Sequence, residues 1–290
     1  MTRGSSKASD QSQKPEFPMT DDTEDDIAAI LARAALAGGA AIEKAVKGGV
    51  TVDVKDDGSP CTDADRAAEA AILAALAAAA PGKPIVSEES AVSGQPVADP
   101  FFVVDPLDGT RDFIAGEADF AVNVAAVADG RPIAGAVFAP RLNRLYLAGR
   151  TAFAIDVAPG QPLPAKSAWT QIRTRPAPAA GLIALASRRH GDTESEAFLA
   201  KLPIRAVKQR ASALKFCLVA SGEADVYPRF GSTKEWDTAA GEAILIAAGG
   251  TVVAPDGTFL TYGHAERGFL NGSFIAFGDP GLAARFVQRS

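Results

Sequence analysis

Phe101-Phe102-Val103-Val104-Asp105-Pro106-Leu107-Asp108-Gly109-Thr110 is the stretch on which the reading of this chain turns. The opening apolar run predicts a short buried strand. Such a strand delivers Asp105 to its carboxyl end, where open α/β sheets place their sites. Pro106 is expected to stop the ladder and stiffen a turn. That turn brings the Asp105 and Asp108 carboxylates to one point, with the Leu107 carbonyl between them. Gly109 lets the backbone approach a ligand closely. Thr110 presents a hydroxyl at the same place, and a helix starting there offers free N–H groups to a phosphate. A lone D-x-x-D is ordinarily a capped turn. An EF-hand does not fit, because position 12 counted from Asp105 is Gly116 rather than Glu.

Further acids stand at the ends of other elements. Glu88 and Glu89 follow Ile85-Val86-Ser87, Asp237 follows Trp236 at a helix mouth, and Asp63 and Asp65 open a helix. Taken singly, these have bland readings: a solvated loop for Glu88-Glu89, an N-cap for Asp63, a helix-dipole partner for Asp237. Clustered, they would repel one another unless a cation held them. Carboxylate oxygens suit Mg²⁺ or Ca²⁺ rather than Zn²⁺ or Cu²⁺. Two such ions sharing ligands polarise a phosphoryl group and generate hydroxide, so hydrolysis of a phosphate ester is the leading chemistry.

Outward from this stretch, residues 25–47 read as an amphipathic helix stopped by Gly48-Gly49, and residues 63–80 as a second helix ended by Pro81-Gly82. Residues 120–155 read as a β meander over 120–127, 133–138, 145–148 and 152–155, with Asp129-Gly130 as a turn. A Pro- and Ala-rich connector spans 158–180. Beyond it strands are expected at 182–186, 225–227, 251–253 and 274–277, and helices at 193–201, 213–221, 237–248 and 281–287. Residues 1–21 are polar, with no apolar signal region, and are expected to be a disordered tail. The organisation expected is thus 1–21 tail, 22–160 carrying most of the acids, and 161–290 carrying Asp237 and a substrate pocket, with helices layered on sheets.

Composition narrows the function. The chain has 290 residues, is 47% apolar and carries a net charge of −6, which is globular and free of any overall bias towards nucleic acid or anionic lipid. Any bound phosphate must therefore be held by a few local cations or a metal. Cys61 and Cys217 form no CxxC pair and are expected to be free thiols in a reducing compartment. Two histidines, His190 and His264, are too few for a His-rich metal site. No apolar run is long enough to span a bilayer, so the expectation is a cytoplasmic protein without stable membrane insertion, with which a peripheral contact with the membrane face is compatible.

Asp105-Pro106-Leu107-Asp108-Gly109-Thr110 and Trp236-Asp237-Thr238-Ala239-Ala240-Gly241 resemble the two signatures of the inositol monophosphatase superfamily, with Ser87-Glu88-Glu89 as its third element. The resemblance covers residues 22–290 and implies an α+β fold of five layers, an αβαβα sandwich, with Mg²⁺-dependent, lithium-sensitive phosphatase activity. Within the family the likeness is to the CysQ type of 3′(2′),5′-bisphosphate nucleotidase, through Leu214-Lys215-Phe216-Cys217-Leu218-Val219-Ala220, Val226-Tyr227-Pro228-Arg229-Phe230-Gly231, Ser187-Arg188-Arg189-His190 and Phe269-Leu270-Asn271.

That resemblance implies a site of two or three Mg²⁺ ions. Glu88, Asp105 and the Leu107 carbonyl would bind the first, and Asp105, Asp108 and Asp237 the second. Asp65, with Asp63 as the alternative, would hydrogen-bond Thr110, and Thr110 with Glu88 would orient the attacking water. Gly109 and Thr110 would lend N–H groups to the scissile phosphate, and Glu89 would stand behind the ligands. Lys215 and Arg229 would clamp a second phosphate, His190 would stack on a base and Tyr227 would line the pocket. The implied reaction is removal of the 3′-phosphate of adenosine 3′,5′-bisphosphate, or of its sulfated form 3′-phosphoadenylyl sulfate, to clear a by-product of sulfate assimilation. The rivals are an inositol monophosphatase or broad sugar-phosphate phosphatase, and a non-catalytic metal- or nucleotide-binding regulator. Partners other than the small-molecule substrate are not implied.

Overall fold

The computed structural model describes residues 21–55, 58–188 and 191–287. Helix α1 (Asp21–Gly48) leads to a hairpin of β1 (Val52–Val54) and β2 (Pro60–Thr62), and then to α2 (Asp63–Ala79). A seven-stranded sheet follows, with its strands side by side in chain order. They are β3 (Ile85–Ser87), β4 (Phe101–Asp108), β5 (Ala121–Ala128), β6 (Arg131–Ala139), β7 (Arg144–Ala148), β8 (Ala152–Asp156) and β9 (Thr170–Gln171). Only the β3–β4 pair among them is parallel. The short helix α3 (Thr110–Ile114) leaves the end of β4. Asp129 and Gly130, both at positive φ, close the β5–β6 hairpin in two residues, as the right-handed strand twist favours.

The second half supplies β10 (Leu182–Ser187), α4 (Thr193–Leu199), β11 (Ile204–Arg210), α5 (Leu214–Ala220), β12 (Val226–Arg229), β13 (Thr233–Lys234), α6 (Glu235–Ala247), β14 (Thr251–Val253), β15 (Leu270–Asn271), β16 (Phe274–Phe277) and α7 (Pro280–Val287). Five of these strands form a sheet in the order β11-β10-β12-β16-β14. Three apolar clusters stack the described elements into helix, sheet, helix, sheet, helix. Leu31 and Ile42 of α1 and Ile72 of α2 pack on Phe102, Val104 and Val122 on one face of the large sheet. Phe216 of α5 and Ile244 of α6 pack between Phe101, Val103 and Val137 on its other face and Tyr227 and Phe274 of the second sheet. Phe198 of α4 and Ala283 of α7 cover Val226, Ile275 and Phe277 outside.

Side chains of a strand alternate between faces. Phe102 and Val104 therefore point to α1 and α2, while Phe101, Val103 and, by the same period, Asp105 point towards α6. Pro106 does not end β4, contrary to the sequence expectation. The strand runs on to Asp108 across a bulge, pairing Asp105 with Asn123 and Asp108 with Ala121. One extra residue in β4 restores the parity that a spacing of three would break, so both aspartates share the α6 face.

Six strands, β1, β2, β9, β11, β13 and β15, lie outside those expected from the sequence. β11 is almost wholly exposed and rich in Lys and Arg, so it shows no apolar period, and β1 is exposed throughout. β9 carries the first sheet into the connector, past residue 160.

α6 rides close on β6. A Cβ placed on Gly135 of β6 would sit 2.6 Å from the Ala240 carbonyl oxygen of α6, a backbone atom that yields only if the helix moves. Gly135→Ala is predicted to lower unfolding stability by about 1–3 kcal/mol in urea titrations, as overpacking does. An unchanged midpoint would show that the helix has room to shift.

Candidate active site

Each of the sequence-predicted acids is set in place by its own local structure. Asp105 and Asp108 share a face of β4 by the bulge. Asp237 is in the first turn of α6, where its Oδ2 accepts a hydrogen bond from the Lys234 N–H at 2.7 Å. One oxygen from each of the three lies within 4.8 Å of the others. Asp105 is buried, and Asp108 and Asp237 are half-buried. The Asp105 Oδ1 accepts from the Leu107 N–H at 3.0 Å. The Asp108 Oδ2 accepts from Asn123 Nδ2 at 3.1 Å and from the Ala213 N–H at 2.6 Å. One oxygen of each carboxylate is thus fixed by the fold, and the other has no donor among the described residues.

Burial comes first, and neighbouring acids second, in the electrostatics of this cluster. Burial, with the charges of Glu88 and Asp108, pushes Asp105 well above the usual carboxylate range. Burial raises Asp108 as well, against the pull of the Lys215 ammonium. Burial and the Asp108 charge lift Asp237 to about 6. Three hard oxygen donors that resist ionisation together, each with an oxygen free, are what a divalent cation of the Mg²⁺ type fits.

Glu88 reaches the same cleft from the end of β3 but is held by a cation of the chain itself. Lys55 Nζ, beyond β1, lies 2.9 Å from Glu88 Oε1 and 2.7 Å from Glu89 Oε1. Burial pulls this ammonium down, but the two glutamates outweigh it and hold its pKa above the ordinary lysine range. Burial lifts Glu88 to about 7 against the Lys55 charge.

Thr110 pairs with Asp65 and not with Asp63. Its hydroxyl lies 3.1 Å from Asp65 Oδ1 and 3.1 Å from the Leu107 carbonyl oxygen, two alternative acceptors for one proton. Asp65 is buried and is oriented by the cap of α2, where its Oδ2 accepts from the Thr62 N–H at 2.8 Å. Asp63 instead accepts from the Thr51 N–H at an exposed position.

A cleft of about 280 Å³ joins these groups to the second half, lined among others by Glu88, Thr110, Arg188, Lys215, Tyr227 and Arg229. Lys215 is buried, 2% exposed, beneath the Tyr227 ring at 4.9 Å, and its ammonium donates to the Ser212 carbonyl at 2.7 Å. Burial lowers its pKa to about 8, so a bound anion would stabilise its charged form. Tyr227 packs edge-on against Phe216 and Phe274. His190 lies outside the described residues. Cys61 and Cys217 are free and buried.

Sequence reasoning missed Lys55, Asn123 and the grip on Arg188. Asn123 had a signal, being a lone amide in the apolar run of β5. Lys55 had none, standing beside acids in a segment that reads as solvated. Arg188 is 2.7 Å from Asp119, 3.2 Å from Glu117 and 3.6 Å from Asp112, which ties the end of β10 to α3.

The sequence pattern of the inositol monophosphatase family matches residues 23–288. A protein of Escherichia coli strain K12 named 3′(2′),5′-bisphosphate nucleotidase CysQ is 40% identical over 248 residues, covering 81% of this chain and 93% of its own. Its namesake from Buchnera aphidicola is 36% identical over 230 residues, 78% of this chain and 83% of its own. Among solved structures, CysQ from Bacteroides thetaiotaomicron, titled a bacterial member of the inositol monophosphatase family, superposes with a TM-score of 0.72 at 34% identity, over 87% of this chain and 97% of its own.

The raised carboxyl groups set a pH test. A carboxyl whose folded pKa exceeds its unfolded one contributes stability that is full below the unfolded value of about 4 and lost as pH rises through the folded one. For Asp237 and Glu88 that loss runs from about 4 and is complete only above about 6 and about 7 respectively. A divalent cation held by these carboxylates would compete with those protons. The rise in unfolding temperature on adding Mg²⁺ is therefore predicted to be small at pH 5 and large at pH 8, and a rise independent of pH would contradict the assignment.

Proposed function

The chain belongs to the inositol monophosphatase family, and on that basis we propose that it is a phosphomonoesterase that removes the 3′-phosphate of adenosine 3′,5′-bisphosphate, giving AMP and phosphate. The sulfated form, 3′-phosphoadenylyl sulfate, is a second substrate of the same chemistry. The observation that carries the reaction is the convergence of Asp105, Asp108 and Asp237 within 4.8 Å of one another, beside a threonine hydroxyl paired with a buried aspartate. Asp105, Asp108 and Asp237 would hold one Mg²⁺, and Glu88, Asp105 and the Leu107 carbonyl another. When bound, such ions polarise the phosphoryl group and favour hydroxide over water.

The chain's own residues supply positioning. Donation of the Thr110 proton to Asp65 leaves the threonine oxygen as acceptor for the attacking water, and Glu88 takes the other side of that water. The Thr110 N–H, the first of α3 and without an acceptor inside the helix, serves the scissile phosphate together with that of Gly109. Attack by water needs no covalent intermediate. Lys215 and Arg229 hold the second phosphate across the cleft, where fixed positive charge recognises it. An inositol phosphate carries no second phosphate and would leave both unused. Among the described residues no helix is long and apolar enough to cross a membrane, which agrees with a cytoplasmic enzyme clearing the bisphosphate by-product of sulfate assimilation.

Phosphate release from adenosine 3′,5′-bisphosphate and from inositol 1-phosphate, with and without Mg²⁺ and Li⁺, tests the reading. Faster release from the bisphosphate, dependent on Mg²⁺ and suppressed by Li⁺, is expected. Preference for the inositol ester overturns it. Asp105→Asn should abolish release while keeping the fold. Arg229→Ala should raise KM for the bisphosphate about tenfold to a hundredfold, as loss of a charged hydrogen bond does, and leave that for a monophosphate unchanged.

A further inference from the structure

Behind α6 lies a buried polar network that no step above uses. Glu242, on the same helix as Asp237, is completely buried. The Tyr262 hydroxyl is 2.5 Å from its Oε2, Arg131 Nη2 is 3.5 Å from its Oε1, and that Oε1 has no hydrogen-bond partner. The same Tyr262 hydroxyl is 3.2 Å from Thr238 Oγ1, next in sequence to Asp237. Thr238 also accepts from Asn271 Nδ2 at 2.8 Å and is 3.2 Å from the Glu235 carbonyl oxygen. The residues after Tyr262 complete the hold, since the Gly263 and His264 N–H groups donate to the Glu235 carboxylate at 2.7 and 2.8 Å.

Glu235, Thr238 and Glu242 stand at i, i+3 and i+7, which is one stripe of a helix. A single loop therefore grips α6 along one line, while Asp237 leaves the helix from another side. Such a grip fixes the rotation of the helix about its axis. A turn of about 10° moves a side-chain tip about 6 Å from the axis by roughly 1 Å, beyond the tolerance of a preorganised site. Burying Glu242 with an oxygen unpaired is costly, and burial lifts its pKa to about 7. An apolar residue would fill the space at less cost but would set no direction, which a hydrogen bond does.

We propose that Tyr262, through Glu242 and Thr238, is a positioning residue for the cation site, locking the rotation of α6 so that Asp237 meets Asp105 and Asp108. The proposal rests on reading that triad as a divalent-cation site, and not on the identity of the substrate. Its test is Mg²⁺ titration by calorimetry of the full chain without substrate, alongside thermal unfolding. Tyr262→Phe removes one hydroxyl and keeps the ring, and Glu242→Leu removes the acceptor. Both are expected to weaken Mg²⁺ binding about tenfold, the scale on which supporting groups act. Glu242→Gln keeps an oxygen for Tyr262 and should bind within about twofold of the parent chain. Half-saturating Mg²⁺ for hydrolysis should rise in step, with KM for the ester at saturating Mg²⁺ unmoved. Unaltered Mg²⁺ affinity in Tyr262→Phe, with only a lower unfolding temperature, overturns the proposal. If Glu242→Leu does not fold, Tyr262→Phe decides alone. Because the titration needs no ester, it remains decisive even where the nucleotidase reading fails.

Discussion

Mutual repulsion among carboxylates taken out of water is the constraint from which the rest of this structure follows. Two ionised groups 4.8 Å apart at an effective dielectric of about 20 repel by roughly 3 kcal/mol. Three that converge cannot all be charged without a counter-ion. The chain resolves part of that conflict internally: Lys55 bridges Glu88 and Glu89, and Lys215 lies near enough to Asp108 to draw its pKa down. The triad of Asp105, Asp108 and Asp237 has no ion pair of its own among the described residues. Its charge deficit is the physical content of the site.

The fold exists around that deficit in a specific way. Strand parity aims Asp105 at α6, the bulge at Pro106-Leu107 puts Asp108 on the same face, and the close approach of α6 to β6 at Gly135 brings Asp237 within range. The cap of α2 delivers Asp65 to Thr110. The cleft then lies between the large sheet, whose strand ends contribute Glu88, Asp105 and Asp108, and the second half, which contributes Asp237 from α6 and Lys215, Tyr227 and Arg229 from the α5–β12 region. The acids of the site thus come from both halves, which meet over a shared apolar core.

Much of this is legible in the sequence because it depends on short-range rules. The run into Asp105, the meander from Phe120 and the acids at element ends all follow from apolar period and punctuation. The choice of Asp65 over Asp63 does not, since it turns on which residue closes the cap with Thr62. Pro106 misleads because a bulge keeps the strand going where a missing N–H predicts its end. β11 is invisible because an exposed cationic edge carries no burial pattern. Lys55 escapes notice because its partners lie far away in sequence, and Glu242 reads as an ordinary helix-surface acid until the loop at Tyr262 covers it.

The most direct measurement is anomalous scattering from crystals of the protein soaked with Mn²⁺, an ion with the same preference for oxygen ligands. A peak bounded by the carboxylates of Asp105, Asp108 and Asp237, lost in Asp105→Asn, is the predicted result. Peaks only elsewhere on the surface, with the three carboxylates turned apart, would contradict it.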